Sequence, residues 1–204
     1  MRSQKKTWPC CACSTFCPMF AFVLPYGYMQ TFLEYVGYDV VERGIILSGT
    51  AVVAIITQFF IGYLCDKYKT DKKFFNLCLI VFVLSTLVMY QVTQRNFFLH
   101  LIFISLVGGM FRTTLAVQDT WTLETSETCR NNFGPIRAFG AIGWMIGSPI
   151  GALVVEHYGY PALGYVFAGL AVLNILLTMF MQDAVKVEKK RRDSCLGFKG
   201  AAAG

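Results

Sequence analysis

The chain has 204 residues, 55% of them hydrophobic and 15% aromatic, with only 15% charged and a net charge of +6. Globular domains carry about 25% charged residues, so the composition argues against an ordinary soluble fold, and the apolar residues come in runs of the ~20 needed to cross ~30 Å of hydrocarbon. The positive charge does not point to nucleic acid, because much of it sits in 67–73 and 186–192, each beside an apolar run where juxtamembrane basic residues belong.

Residues 1–15 read as a cytoplasmic N-terminus. Arg2, Lys5 and Lys6 before an apolar run imitate a secretory signal, but the run continues to about Tyr35 with no small-x-small cleavage site, so an uncleaved first span is predicted. The eight cysteines are expected to be reduced thiols, since most fall in spans or predicted cytoplasmic segments. The cluster Cys10, Cys11, Cys13 and Cys17 lacks a second ligand pair or a nearby histidine, so interfacial thiols are expected there and no metal or cofactor is.

Six spans then follow in order: 16–36, 44–65, 74–92, 97–117 with a helical extension towards Thr125, 137–155 and 161–181. They form one bundle over 16–182, with a turn at Asn131-Asn132-Phe133-Gly134-Pro135 before the fifth. Residues 183–204 read as a basic cytoplasmic linker ending in small residues. One side of the bundle holds Arg2, Lys5, Lys6, the lysines of 67–73, Arg130 and the basic tail, whereas the other holds only Arg43 and Arg95. The positive-inside rule therefore puts both termini in the cytoplasm. The fold class is an all-α membrane protein of six transmembrane helices.

Charges inside such spans are costly, about 2.5–3.5 kcal/mol each at a helix centre, and by default they mark a pathway or a binding site. Asp119 and Arg112 lie on the fourth helix and Arg137 on the fifth. Arg112 precedes Asp119 by seven residues, on the same face and ~10 Å away along the axis. It either lines a cavity or holds a structural ion pair. Arg137 and Trp144 are also seven apart and share a face. An indole beside a guanidinium suits a sugar, whose apolar ring face stacks on the indole while its hydroxyls accept from the fork. Core packing of Trp144, solvation of Asp119 at its helix end and simple anchoring by Arg137 are the plainer readings. Gly140, Gly143, Gly147 and Gly151 form an adjoining stripe for close helix packing. Tyr26, Tyr28 and Gln30, beside Pro25 and Gly27, are either cavity-lining residues or core, and Glu34 reads as interfacial. His100 and His157 are isolated in the sequence, and neither a Walker loop nor a hydrolase motif is present. Nothing here points to an enzyme.

After the second span comes Gly62-Tyr63-Leu64-Cys65-Asp66-Lys67, followed by Lys69 and the pair Lys72-Lys73. This resembles the signature loop of the major facilitator superfamily, G-x-x-x-D-[RK] and a basic pair, with Lys69 where a glycine is usual. The resemblance implies a conformational-switch role for Gly62, Asp66 and Lys67. The order Asp119, then Phe133-Gly-x-x-Arg137-x-Phe-Gly-x-x-Gly-Trp144, resembles the amino-terminal half of the oligosaccharide–proton symporters typified by the galactoside permease. It implies that Asp119, Arg137 and Trp144 bind solute, although Asp119 is one methylene shorter than the usual Glu. The implied function is proton-coupled uptake of a sugar or similar polyhydroxylated solute across the cytoplasmic membrane. The alternatives are a nucleoside or other small-solute transporter, or a non-transporting six-helix subunit. The implied partners are solute, protons, the bilayer, and either a second six-helix half or a second copy of the chain.

Overall fold

The computed structural model describes the backbone of residues 4–180 and the side chains of residues 15–179. The side chains of Lys5, Lys6, Cys10, Cys11 and Cys13, together with Arg2 and the basic tail 183–204, lie outside the described residues. Among the described residues every regular element is a helix: α1 (Gln4–Gly27), α2 (Met29–Tyr35), α3 (Val40–Tyr68), α4 (Lys72–Gln91), α5 (Phe97–Thr125), α6 (Glu127–Asn131), α7 (Phe133–Tyr158) and α8 (Tyr160–Phe180). Five of them, α3, α4, α5, α7 and α8, are long and apolar enough to cross a membrane. These coincide with the second to sixth predicted spans and run a few residues beyond several of them. The fourth extends to Thr125, as the sequence predicts.

The first predicted span, 16–36, is not one rod. α1 starts well ahead of it at Gln4, and the chain breaks at Tyr28 before α2. Pro25 offers no N–H to the turn before it, and Gly27 follows at once, so the helical ladder is weakest here. A break at membrane depth leaves carbonyls that lipid cannot satisfy. Tyr90 of α4 meets this need: its buried hydroxyl lies 3.2 Å from the Leu24 carbonyl and 3.1 Å from that of Pro25, sharing one proton between them. Tyr28 at the break donates to the Ser148 carbonyl of α7.

Helix ends are set by local chemistry. Asp39 caps α3 in a capping box: its backbone N–H donates to Glu42 Oε2 at 3.1 Å, and its carboxylate accepts from the first turn. α3 stops at Lys69, the one non-glycine residue with positive φ among the described residues (φ 51°, ψ 38°). The left-handed conformation here accounts for the glycine usual at this place in the signature loop.

The bundle is held by close helix approach. α7 lies on α1 and α3 on α5, while α4 packs against both α5 and α8. Gly140, Gly143, Gly147 and Gly151 all face α1. A methyl group on Gly143 would stand 2.7 Å from the Phe16 carbonyl oxygen, and one on Gly147 2.8 Å from that of Phe20. This is the packing role the stripe predicts. On the other seam, Gly108 and Gly109 of α5 accept Thr50 and Val53 of α3. Behind these seams Phe22, Phe82, Phe111 and Phe167 form an aromatic core, with Phe82 and Phe167 centred 4.9 Å apart.

The two ends of the bundle differ. At one end Lys72 donates to the Met179 carbonyl at 3.1 Å, tying the start of α4 to the last turn of α8. At the other, Arg43 pairs with Glu34 at 3.0 Å and Arg95 with Glu42 at 2.6 Å. Between them His100, isolated in the sequence, is fully buried against Tyr38. Its Nε2 lies 2.9 Å from the Val92 carbonyl, which can only accept, so Nε2 carries the proton and Nδ1 accepts from the Tyr38 hydroxyl at 2.8 Å.

The cysteines depart in one place from the reduced state expected of them. Cys17, Cys65 and Cys78 form no disulfide, but Cys129 of α6 is disulfide-bonded. Its sulfur is fully buried where α6 folds back onto α1, so tertiary packing brings Cys129 into the neighbourhood of a distant segment that spacing along the chain does not reveal.

Candidate solute-binding site

Three helices converge on the charged pair predicted from sequence. α5 carries Asp119 six residues before its end, and α7 carries Arg137 in its second turn. The short α6 turns the chain between α5 and α7, whose side chains meet at this pair. Arg137 Nη1 donates to both carboxylate oxygens of Asp119. Both side chains stay partly accessible, Arg137 at 42% and Asp119 at 28%, so a ligand can reach them. The guanidinium has five N–H donors, and those on Nη2 and Nε are not used by this pair.

Beside the pair lies a cavity of about 250 Å³ lined by Met19, Phe111, Arg137, Gly140, Ala141 and Trp144. Its apolar wall includes Phe111 and Trp144, and Tyr26 packs against both rings. Tyr26 of α1 stacks on Phe111 of α5 with centroids 4.1 Å apart, and Trp144 of α7 stands 6.3 Å from Tyr26 and 5.9 Å from Phe111. Trp144 therefore packs against neighbouring rings and also borders the cavity beside Arg137. The lack of a Cβ on Gly140 brings α1 close enough for Met19 to close the cavity floor. A volume of this size takes one small ring, with an aromatic surface on one side and the Arg137 guanidinium, itself paired with Asp119, on the other.

The remaining predicted residues fall elsewhere. Arg112 sits midway along α5 on an exposed face and makes no ion pair among the described residues. Of its two sequence readings, the structural ion pair is therefore not seen, and Asp119 is joined to Arg137 instead. Gly62 and Asp66 line a separate cavity of about 180 Å³ between α3 and α5, together with Gln58, Thr113 and the buried Asp71 at the start of α4. Lys67 is exposed, its ammonium 5.9 Å from the Tyr63 ring centre and 5.8 Å from that of Tyr68. Of the residues beside Pro25, Tyr26 joins the aromatic wall, Tyr28 bonds α7, and Gln30 is exposed. Glu34 is exposed as predicted, in its pair with Arg43. Tyr26 is one of the residues the sequence offers as cavity-lining or core, whereas Phe111 and Asp71 are not singled out there. Phe111 had a signal, its place next to Arg112 on the charged helix, whereas Asp71 reads as one more residue of a basic loop.

Five apolar spans and a charged pair set among them describe a multi-pass membrane protein built around a polar internal site. Residues 16–199 match the MFS_1 like family model, and the chain belongs to that family of the major facilitator superfamily, a family of membrane transporters. No curated protein matches the chain.

Proposed function

We propose that the chain forms one six-helix half of a secondary active transporter that takes up a sugar or a similar polyhydroxylated solute, coupled to protons, across the cytoplasmic membrane. In this reading α1 and α2 supply the first of six spans, both termini are cytoplasmic, and the other half of the site comes from a second six-helix unit or a second copy. Rocking of the two units about the solute gives alternating access.

The observation that carries the reading is Arg137, paired with Asp119, lining the cavity that Trp144 also walls. A sugar ring presents an apolar face and a rim of hydroxyls. Trp144 offers the first a surface, and the pair offers the second one acceptor and several fixed donors. While the site is empty, the two charges neutralise each other, which lowers the cost of holding either in a low-dielectric region. Solute hydroxyls must enter between or beside them. Either charge left alone would be expensive, so removing one member of the pair should do more damage than loss of a single hydrogen bond.

The test is uptake into membrane vesicles expressing the protein, with panels of disaccharides and nucleosides and an imposed proton gradient. Saturable sugar uptake that follows the gradient is expected, with Asp119→Asn or Arg137→Lys reducing it at least tenfold. Uptake that is indifferent to both substitutions, or none with any solute, would remove the proposal.

A further inference from the structure

We infer that Arg112 is an anion-recognising residue of this same site, so that the solute carries a carboxylate or phosphate group in addition to its hydroxyls. The inference rests on the solute-binding reading above and narrows the class of ligand.

α5 is covered on one flank by α3, behind by α4, and on the other flank by α1. The face left open carries Arg112, Ala116 and Thr120, with Asp119 at its edge. Ala116, one turn beyond Arg112, is exposed, and with Thr120 it borders the cavity between α3 and α5. Phe111, the neighbour of Arg112 in the chain, lines the cavity that holds Arg137 and Trp144. Arg112 and Asp119 lie on one face of α5, separated by seven residues or ~10 Å of helix. The cavity itself takes one ring, and a longer solute would extend towards Arg112.

Charge bookkeeping gives the ligand's sign. The described charged side chains of α3, α5 and α7 cluster near the helix ends except for Arg112, Asp119 and Arg137. Asp119 neutralises Arg137 alone. Arg112 sits at the middle of a 29-residue helix and makes no ion pair among the described residues. A guanidinium cannot shed its proton, so its charge at this depth calls for an anion that arrives with the ligand. The planar fork of Arg112 fits a carboxylate or a phosphate in two parallel hydrogen bonds.

The test uses the full chain in nanodiscs of phosphatidylcholine, whose zwitterionic headgroups do not attract anions to the surface. Equilibrium dialysis compares 4-nitrophenyl β-glucuronide with 4-nitrophenyl β-glucoside, two probes that differ only by a carboxylate in place of a hydroxymethyl group. The glucuronide is expected to bind about tenfold more tightly or better. Arg112→Gln should abolish that preference by weakening glucuronide binding about tenfold or more, and Arg112→Lys should keep part of it. Equal affinities in the unaltered chain would overturn the anion assignment and leave the polyhydroxyl site standing. A preference that persists in Arg112→Gln would move the anion site to another residue and overturn the inference. Binding of neither probe at millimolar concentration would defeat the underlying solute-site reading, and this inference with it.

Discussion

At the scale of single residues, sequence reasoning finds the charges but not their partners. Asp119 and Arg137 stand out because an ion within an apolar helix needs a reason, whereas their pairing depends on the α6 turn, which the sequence presents only as a polar loop. The Tyr38–His100 bond is still less visible, since its members are 62 residues apart and neither belongs to a motif. It also gives a clear pH signature. Tyr38 lies in the connection between α2 and α3, and burial pushes its phenol above the usual value of 10.0, partly offset by the Arg95 guanidinium. A raised folded-state pKa means that the neutral phenol is favoured on folding. That contribution is fully present below about pH 10 and is lost as pH rises through the folded value. Thermal unfolding in detergent, followed from pH 7 to 11, should therefore show a fall in Tm above about pH 10. Tyr38→Phe should cost about 1–3 kcal/mol at pH 7, because it strips the acceptor Nδ1 of its donor, and should flatten that alkaline fall. A variant with unchanged Tm and the same alkaline slope would show that this bond does not support the fold.

At the scale of elements, hydropathy locates five of the spans well because each is a long apolar run, and long helices are what such runs form in lipid. The broken first span follows from a different kind of information. Pro25 and Gly27 weaken the helix, but only the arrival of Tyr90 from α4 makes an interruption tolerable there. Glycines behave in two opposite ways, and substitutions separate them. At Gly143 and Gly147 an added methyl would strike backbone atoms of α1, which cannot give way like the end of a side chain. Each change to alanine should destabilise the bundle by about 1–3 kcal/mol. Gly134, in the first turn of α7, has open space where its Cβ would go, and Gly134→Ala should be neutral or stabilise by up to ~1 kcal/mol. The reverse case is Lys69, which holds a left-handed backbone that glycine adopts without strain. Lys69→Gly should raise stability by about 0.5–1 kcal/mol, less whatever its own side-chain contacts contribute. Chemical denaturation of the four variants in one detergent checks the order. Equal losses at Gly134 and Gly147 would contradict the packing described at the α1–α7 seam.

At the scale of the whole molecule, the helices carry two kinds of exposed surface. Ile55, Ile56, Phe59 and Phe60 of α3, Leu84 and Val88 of α4, and Leu173 and Leu176 of α8 present apolar faces suited to lipid. The open face of α5 instead carries Arg112, Ala116 and Thr120. Composition predicts that the chain is lipid-embedded, but only the packing distinguishes a face for lipid from one for solute or a partner. Orientation is a separate matter and rests on charge alone. Residues 67–73, the α3–α4 connection with the helix ends that flank it, hold four lysines, whereas the connection from α4 to α5 has Arg95 as its single basic residue, already tied to Glu42. A basic loop is held on the cytoplasmic side by the bias of insertion and by anionic lipid. Single cysteines placed at Lys69 and at Gln94, in a chain whose own cysteines are replaced by alanine, read the two connections independently. In intact cells a membrane-impermeant maleimide should label Gln94→Cys and reach Lys69→Cys only after permeabilisation. The reverse pattern would invert the proposed topology. It would also turn the Asp119–Arg137 end of the bundle, which lies near the α3–α4 connection, towards the outside, so that proton-coupled uptake would have to begin at that end.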